Sequence, residues 1–61
     1  MDGNGYSVGD ILVEIDGRHM CRIVKVDVEN GLYLCEWLTY PSRMKDYGRF
    51  EDINRYYVKV N

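Results

Sequence analysis

Three side chains in this sequence have the chemistry of a nucleophile, a base or a metal ligand: His19, Cys21 and Cys35. A histidine beside a thiol can activate it, and residues 19 and 21 share a face if both lie on one strand. The sequence supplies no acid in an evident position to orient His19, and no evident oxyanion hole. Buried cysteines usually pack as small apolar side chains. We therefore predict no catalytic residue, and we expect the protein not to be an enzyme.

The spacing of the cysteines also argues against a metal centre. Structural metal sites gather four ligands from paired Cys-x-x-Cys motifs, whereas Cys21 and Cys35 are fourteen positions apart. One histidine and two separated cysteines lack that spacing. The sequence therefore predicts no metal and no other cofactor.

Aromatic residues are more numerous than a core of this size requires. The 61 residues include six Tyr, one Trp and one Phe. Four of these are enough for the predicted core: Tyr33, Trp37, Phe50 and Tyr56. The remaining tyrosines are expected on the surface, where aromatic side chains are typical of the centres of protein interfaces.

Two of the remaining tyrosines bracket a predicted loop at residues 41–48, which also contains arginine, methionine and lysine. This composition predicts a protein-binding surface of five residues: Tyr40, Arg43, Met44, Tyr47 and Tyr57. In an alternative interpretation, the phenol rings only pack the loop onto the wall of the domain and keep their hydroxyls in water.

The elements that must position these residues follow from the apolar pattern. Residues 1–7 are polar and rich in glycine, and they are expected to form a flexible leader. Residues 11–15 alternate at the period of a strand, which predicts Ile11, Val13 and Ile15 on the inner face and Leu12 on the outer one.

The strongest local signal is a hairpin across residues 20–40 that turns at Asn30-Gly31, a dipeptide that favours a type I′ turn. A two-residue turn places three pairs of core side chains opposite each other: Val28–Tyr33, Val26–Cys35 and Val24–Trp37. The apolar pattern slips near Ile23, which predicts a bulge. In this register Cys21 lies about 17 Å from the position facing Cys35, so no disulfide is expected.

The last third of the chain completes the predicted fold. A short strand at residues 49–51 is anchored by Phe50, and a helical turn at residues 51–54 buries Ile53. A last strand at residues 55–60 directs Tyr56, Val58 and Val60 inward and Tyr57 outward. Five short strands with a helical turn before the last one predict an all-β fold, a small five-stranded SH3-like barrel that closes where strand one meets strand five. We predict this single domain over residues 8–61.

Several stretches resemble a known group of small barrels. They are Val-Gly-Asp-Ile-Leu-Val at residues 8–13, Met-Cys-Arg-Ile-Val at 20–24, Leu-Cys-Glu-Trp at 34–37, Phe-Glu-Asp-Ile at 50–53 and Tyr-Val-Lys-Val at 57–60. In layout they are similar to the YodC-like group of short bacterial proteins with SH3-like barrels. Such barrels dock peptides, nucleic acids and proteins alike, so the resemblance implies a binding module of unspecified ligand.

The net charge and the lengths of the apolar runs limit the remaining classes of function. The net charge of −2 disfavours general nucleic-acid affinity, and no apolar run reaches the length of a membrane span. A cytoplasmic location is expected, because the N-terminus does not resemble a secretory signal. The favoured function is a non-enzymatic protein-binding module, or an accessory or inhibitory factor, with an unknown protein partner. Two alternatives stay open: a nucleic-acid-binding barrel, and a homo-oligomer formed through outward Leu12, Leu34 and Leu38.

Overall fold

The computed structural model describes residues 5–39 and 44–61. They form five strands and one short helix: β1 (Ile11–Glu14), β2 (Met20–Asp27), β3 (Leu32–Trp37), β4 (Lys45–Arg49), α1 (Phe50–Tyr56) and β5 (Tyr57–Lys59). The strands build one antiparallel sheet in the spatial order β4-β3-β2-β1-β5. The predicted all-β architecture is therefore confirmed, and so is the predicted meeting of the first and last strands.

The orientation of strand β1 is the reverse of the predicted one. The face of β1 that the apolar alternation places outside is the face that packs against the core. Leu12 is fully buried, whereas Ile15 is 66% exposed. Leu12 lies opposite Cys21 of β2 and Lys59 of β5, so it sits in the middle of the sheet. The prediction was wrong because Ile11 and Val13 are half-buried as well. Both faces of β1 carry apolar side chains, and alternation alone cannot select the inner one.

Strands β2 and β3 form the predicted hairpin, but the register differs from the predicted one by two positions beside the loop and by three positions beyond the bulge. The last pair before the loop is Asp27–Leu32, which leaves a loop of residues 28–31. Val26 faces Tyr33, and Cys35 faces Ile23. The predicted bulge is confirmed, because the register shifts between Ile23 and Lys25.

Asp27 accounts for the longer loop. Its carboxylate accepts hydrogen bonds from the backbone N–H of Asn30 at 3.2 Å and from the Asn30 side-chain amide at 2.9 Å. The side-chain bond is the main cause that holds the pKa of Asp27 below its usual value. Gly31 completes the turn at a φ of +69°, a backbone conformation that glycine adopts without steric cost. Side-chain capping by Asp27 therefore selects a wider loop than the Asn-Gly dipeptide predicts.

Strand β4 occupies the second half of the predicted loop at residues 41–48. Residues 45–48 pair with β3, with Tyr47 opposite Leu34 and Gly48 opposite Tyr33, while residues 41–43 lie outside the described part of the chain. The stretch looked like a loop because an edge strand with exposed side chains carries no apolar alternation. Phe50 begins helix α1 instead of forming the centre of a short strand.

Helix α1 is longer than the predicted single turn and buries Ile53 as predicted. It continues to Tyr56, so β5 begins two residues later than expected. This moves Tyr56 out of the predicted core, where its side chain is 51% exposed, and it moves Tyr57 into the core. Val58 and Val60, also predicted to face inward, are 46% and 52% exposed.

The core lies between the sheet and α1. Its buried members are Leu12, Cys21, Ile23, Tyr33, Cys35, Ile53 and Tyr57. Val28, predicted to be part of it, is 58% exposed because it lies in the hairpin loop. Trp37 and Phe50 are partly buried against the cluster.

Tyr6, predicted to belong to a flexible leader, packs against this core. Its backbone N–H donates to the Tyr33 hydroxyl at 3.2 Å, and its own hydroxyl donates to the Tyr57 carbonyl at 3.0 Å. Ser7 is hydrogen-bonded to the Asp10 carboxylate at 2.9 Å. Residues 6 and 7 are therefore part of the packed domain, and residues 1–4 lie outside the described part of the chain.

Candidate interaction surface

The five predicted binding residues have different positions. Met44 and Tyr47 are 53% and 56% exposed. Tyr40 and Arg43 lie outside the described residues. Tyr57 is only 9% exposed, so the expectation that its ring faces solvent is wrong. The structure therefore leaves Met44 and Tyr47 as the described part of the predicted surface.

Tyr57 packs in the core instead. Its ring centroid lies 6.5 Å from that of Trp37, and Glu14 of β1 is its cross-strand partner. Burial raises the pKa of Tyr57 to about 12, and the negative charge of Glu14 acts in the same direction. The phenol therefore stays uncharged at neutral pH, as a core side chain must.

His19, the remaining candidate base, packs on an aromatic ring. Its ring meets Trp37 edge-on with the centroids 5.5 Å apart. Within residues 5–39 and 44–61, no three His, Cys, Asp or Glu side chains are grouped so that they could hold a metal ion.

The exposed Tyr47 belongs to a larger surface, the outward side of β2, β3 and β4, which we term the outer face. Side chains of directly paired residues point to the same side of a sheet. The register thus sets three rows across the strands: Arg22–Glu36–Lys45, Lys25–Leu34–Tyr47 and Asp27–Leu32–Arg49. Leu32 and Leu34 are half-buried. The outer face has an apolar centre with charged side chains around it.

The charge of the outer face is opposite in sign to that of the whole chain. Its rows contain four cations and two anions, whereas the chain carries a net charge of −2. Arg22 is neutralised by Glu36, whose carboxylate it contacts at 2.6 Å. Lys25, Lys45 and Arg49 form no ion pair among the described residues. The outer face therefore has three cations without an ion pair in the described ranges, and Lys25 acts only at longer range on Asp27.

The outer face continues into a groove and ends at a sheet edge. A depression of about 430 Å³ between the hairpin loop and the start of α1 is lined in part by Gly31, Leu32, Arg49 and Phe50. Strand β4 is the last strand of the sheet on this side and pairs only with β3 in the described part of the chain. An edge strand presents backbone groups that another chain can pair with.

Comparison with known proteins identifies no family for this chain. No family model matches it, and no solved structure matches it significantly. A segment of 44 residues, 72% of the chain, is 41% identical to part of the cytosol aminopeptidase of Haemophilus influenzae and of the probable cytosol aminopeptidase of Mannheimia succiniciproducens. This segment spans only 9% of the length of those relatives.

No helix in the described ranges combines the length and the apolar character required to cross a bilayer.

Proposed function

We propose that this chain is a small non-enzymatic module that binds a protein partner through its outer face. The supporting observation is the exposure of Tyr47 in the middle row, beside Leu34 and among three cations without ion pairs. Exposed aromatic and apolar side chains with a charged rim are typical of interface centres. The partner that fits has an apolar contact residue and acidic neighbours.

The fold supports the proposal at a coarser level. A five-stranded sheet in the order β4-β3-β2-β1-β5, with a short helix before the last strand, is the layout expected of an SH3-like barrel. We propose that assignment, and the resemblance to the YodC-like group stays a prediction.

Both cysteines are free thiols, which fits a reducing cytoplasmic location. The short match to aminopeptidases covers too little of those proteins to transfer their activity.

Replacing Tyr47 by alanine is expected to weaken partner binding about tenfold or more, because an aromatic hot spot contributes about 1.4 kcal/mol or more. Thermal stability should stay nearly unchanged, since more than half of the side chain is exposed. The partner is first isolated by affinity purification with the intact protein as bait. The dissociation constants of the wild type and the variant are then measured by calorimetry.

Val28→Ala supplies the matched control. Val28 is 58% exposed but lies in the hairpin loop, outside the three rows. The proposal requires Val28→Ala to bind like the wild type and Tyr47→Ala to bind more weakly. Equal dissociation constants for the two variants would contradict it.

Nucleic-acid binding is the second candidate, favoured by the same three cations beside an exposed tyrosine. Two observations argue against nucleic-acid binding. Asp27 and Glu36 lie in the same rows as the cations, and the net charge of the chain is −2. Titration with labelled single strands at low salt separates the candidates, because phosphate contacts weaken steeply as salt rises.

The structure weakens the argument for self-association through outward leucines. Leu12, one of the three leucines expected to face outward, is fully buried. Leu34 is half-buried in the outer face, and Leu38 is 41% exposed. A homo-oligomer formed through these leucines therefore has a smaller apolar contact than the sequence predicts.

A further inference from the structure

The two cysteines are neighbours in the core, contrary to the separation expected from the sequence. In the observed register Cys21 faces Trp37 and Ile23 faces Cys35, so the cysteines occupy diagonal positions on the inner face of adjacent strands. Diagonal side chains on paired strands are within reach of each other. Both cysteines also line one small cavity, and each thiol shifts the pKa of the other. Both side chains are buried, at 0% and 3% exposure.

A small cavity adjoins both sulfur atoms. It has a volume of about 40 Å³, and Trp37, Ile53 and Tyr57 contribute to its wall beside the two cysteines. This volume is enough for one water-sized molecule. The cavity therefore has room beside the cysteines for a small oxidant.

From this juxtaposition we propose that Cys21 and Cys35 are a site of reversible two-electron oxidation, at which a small peroxide converts the paired thiols into a disulfide between β2 and β3. The cysteine side chains point to the opposite side of the sheet from the outer face, although Asp46, Tyr47 and Gly48 of β4 also line the cavity. Diagonal positions on paired strands are about 7–8 Å apart, so the bond forms when β2 and β3 close by about 1–2 Å at this point.

The two cysteines have different roles in the reaction. The hydrogen bond from Cys35 lowers the pKa of Cys21, against the opposing effect of burial. The same hydrogen bond, together with burial, raises the pKa of Cys35. These opposite directions favour Cys21 as the nucleophile, since the thiolate is the reactive form, and Cys35 as the resolving thiol.

The steps balance with hydrogen peroxide as oxidant. The Cys21 thiolate attacks one peroxide oxygen, the O–O bond breaks, and hydroxide leaves with a sulfenic acid on Cys21. The Cys35 sulfur then attacks the Cys21 sulfur, the S–O bond breaks, and water leaves as the S–S bond forms. The proton that Cys21 lost at the start converts the hydroxide to a second water. In total, two thiols and one peroxide give one disulfide and two waters.

Treatment of the folded wild-type protein with hydrogen peroxide tests the site, with circular dichroism used to verify the fold. We expect a monomer whose mass is lower by two hydrogen atoms and whose free thiols fall from two to none. A peptide map should show a link between Cys21 and Cys35, and a thiol reductant should restore both thiols. Both thiols remaining free, only disulfide-linked dimers, or only sulfinic and sulfonic acids would each overturn the proposal.

Single substitutions test the assigned roles. Cys35→Ser should accumulate a sulfenic acid on Cys21 that dimedone labels, and Cys21→Ser should react with peroxide more slowly. The reverse order of rates would overturn the assignment of Cys21 as the nucleophile. Because the wild-type experiment needs no substitution, the disulfide itself is tested even where a variant does not fold.

Discussion

Replacing Tyr33 by alanine is expected to remove most of the stability of this domain. Tyr33 is fully buried, its ring lies 4.6 Å from that of Phe50, and its hydroxyl donates to Asn54 at 2.9 Å while accepting from the Tyr6 N–H. Truncation of a buried aromatic residue costs about 3–5 kcal/mol. A domain of this length has about 3–9 kcal/mol in total. Urea denaturation followed by circular dichroism measures the loss.

Two further variants separate the causes of this loss. Tyr33→Phe keeps the ring and removes the hydroxyl, so it should cost about 1–3 kcal/mol for the unpaired polar partners. Tyr47→Ala makes the same change as Tyr33→Ala in the exposed side chain of the neighbouring strand, and it should change the free energy of unfolding by less than about 0.5 kcal/mol. Similar urea midpoints for Tyr33→Ala and Tyr47→Ala would show that Tyr33 is not the centre of the core.

Replacing Leu12 by alanine is expected to cost about 2–5 kcal/mol, because the side chain is fully buried between β2 and β5. The matched control is Ile15→Ala, which truncates a residue that is 66% exposed just after the same strand. It should shift the free energy of unfolding by about 0.5 kcal/mol or less. The two measurements use the same urea titration.

This comparison tests the orientation of β1. Alternation along residues 11–15 predicts Ile15 inside and Leu12 outside, whereas the structure places them the other way round. A larger loss of stability for Ile15→Ala than for Leu12→Ala would support the alternation and contradict the observed orientation.

Local signals in the sequence predicted the elements better than their relation to one another. The hairpin, the bulge near Ile23, the burial of Ile53 and the contact between the first and last strands were all predicted and are confirmed. The first three depend on short-range patterns, such as a glycine turn or a slip in apolar alternation, whereas the contact between the first and last strands follows from the closure of a small sheet. The predicted two-residue length of the hairpin loop is wrong, because the hydrogen bonds from Asn30 to Asp27 stabilise a four-residue loop.

The candidate site was harder to predict because it depends on strand pairing. Lys25, Leu34 and Tyr47 form one row only in the observed register, and no local pattern reveals a polar edge strand such as β4. The thiol pair was missed for the same reason, since a change of register by a few residues brings Cys21 beside Cys35. The prediction that Tyr57 lies on the surface is wrong because the helix extends beyond the single predicted turn, which shifts the start of β5 and turns Tyr57 inward.

The register between β2 and β3 determines both the rows of the outer face and the contact of the two thiols. Because the Leu38 N–H bonds to the Met20 carbonyl at 2.9 Å, the next pair, Cys21–Trp37, lies between ladder hydrogen bonds, where Cα atoms are about 4.5 Å apart. Nuclear Overhauser contacts between α-protons measure this directly. We expect strong contacts for Cys21–Trp37 and Ile23–Cys35. Strong contacts for Val24–Trp37 and Val26–Cys35 in their place would contradict the register and both proposals built on it.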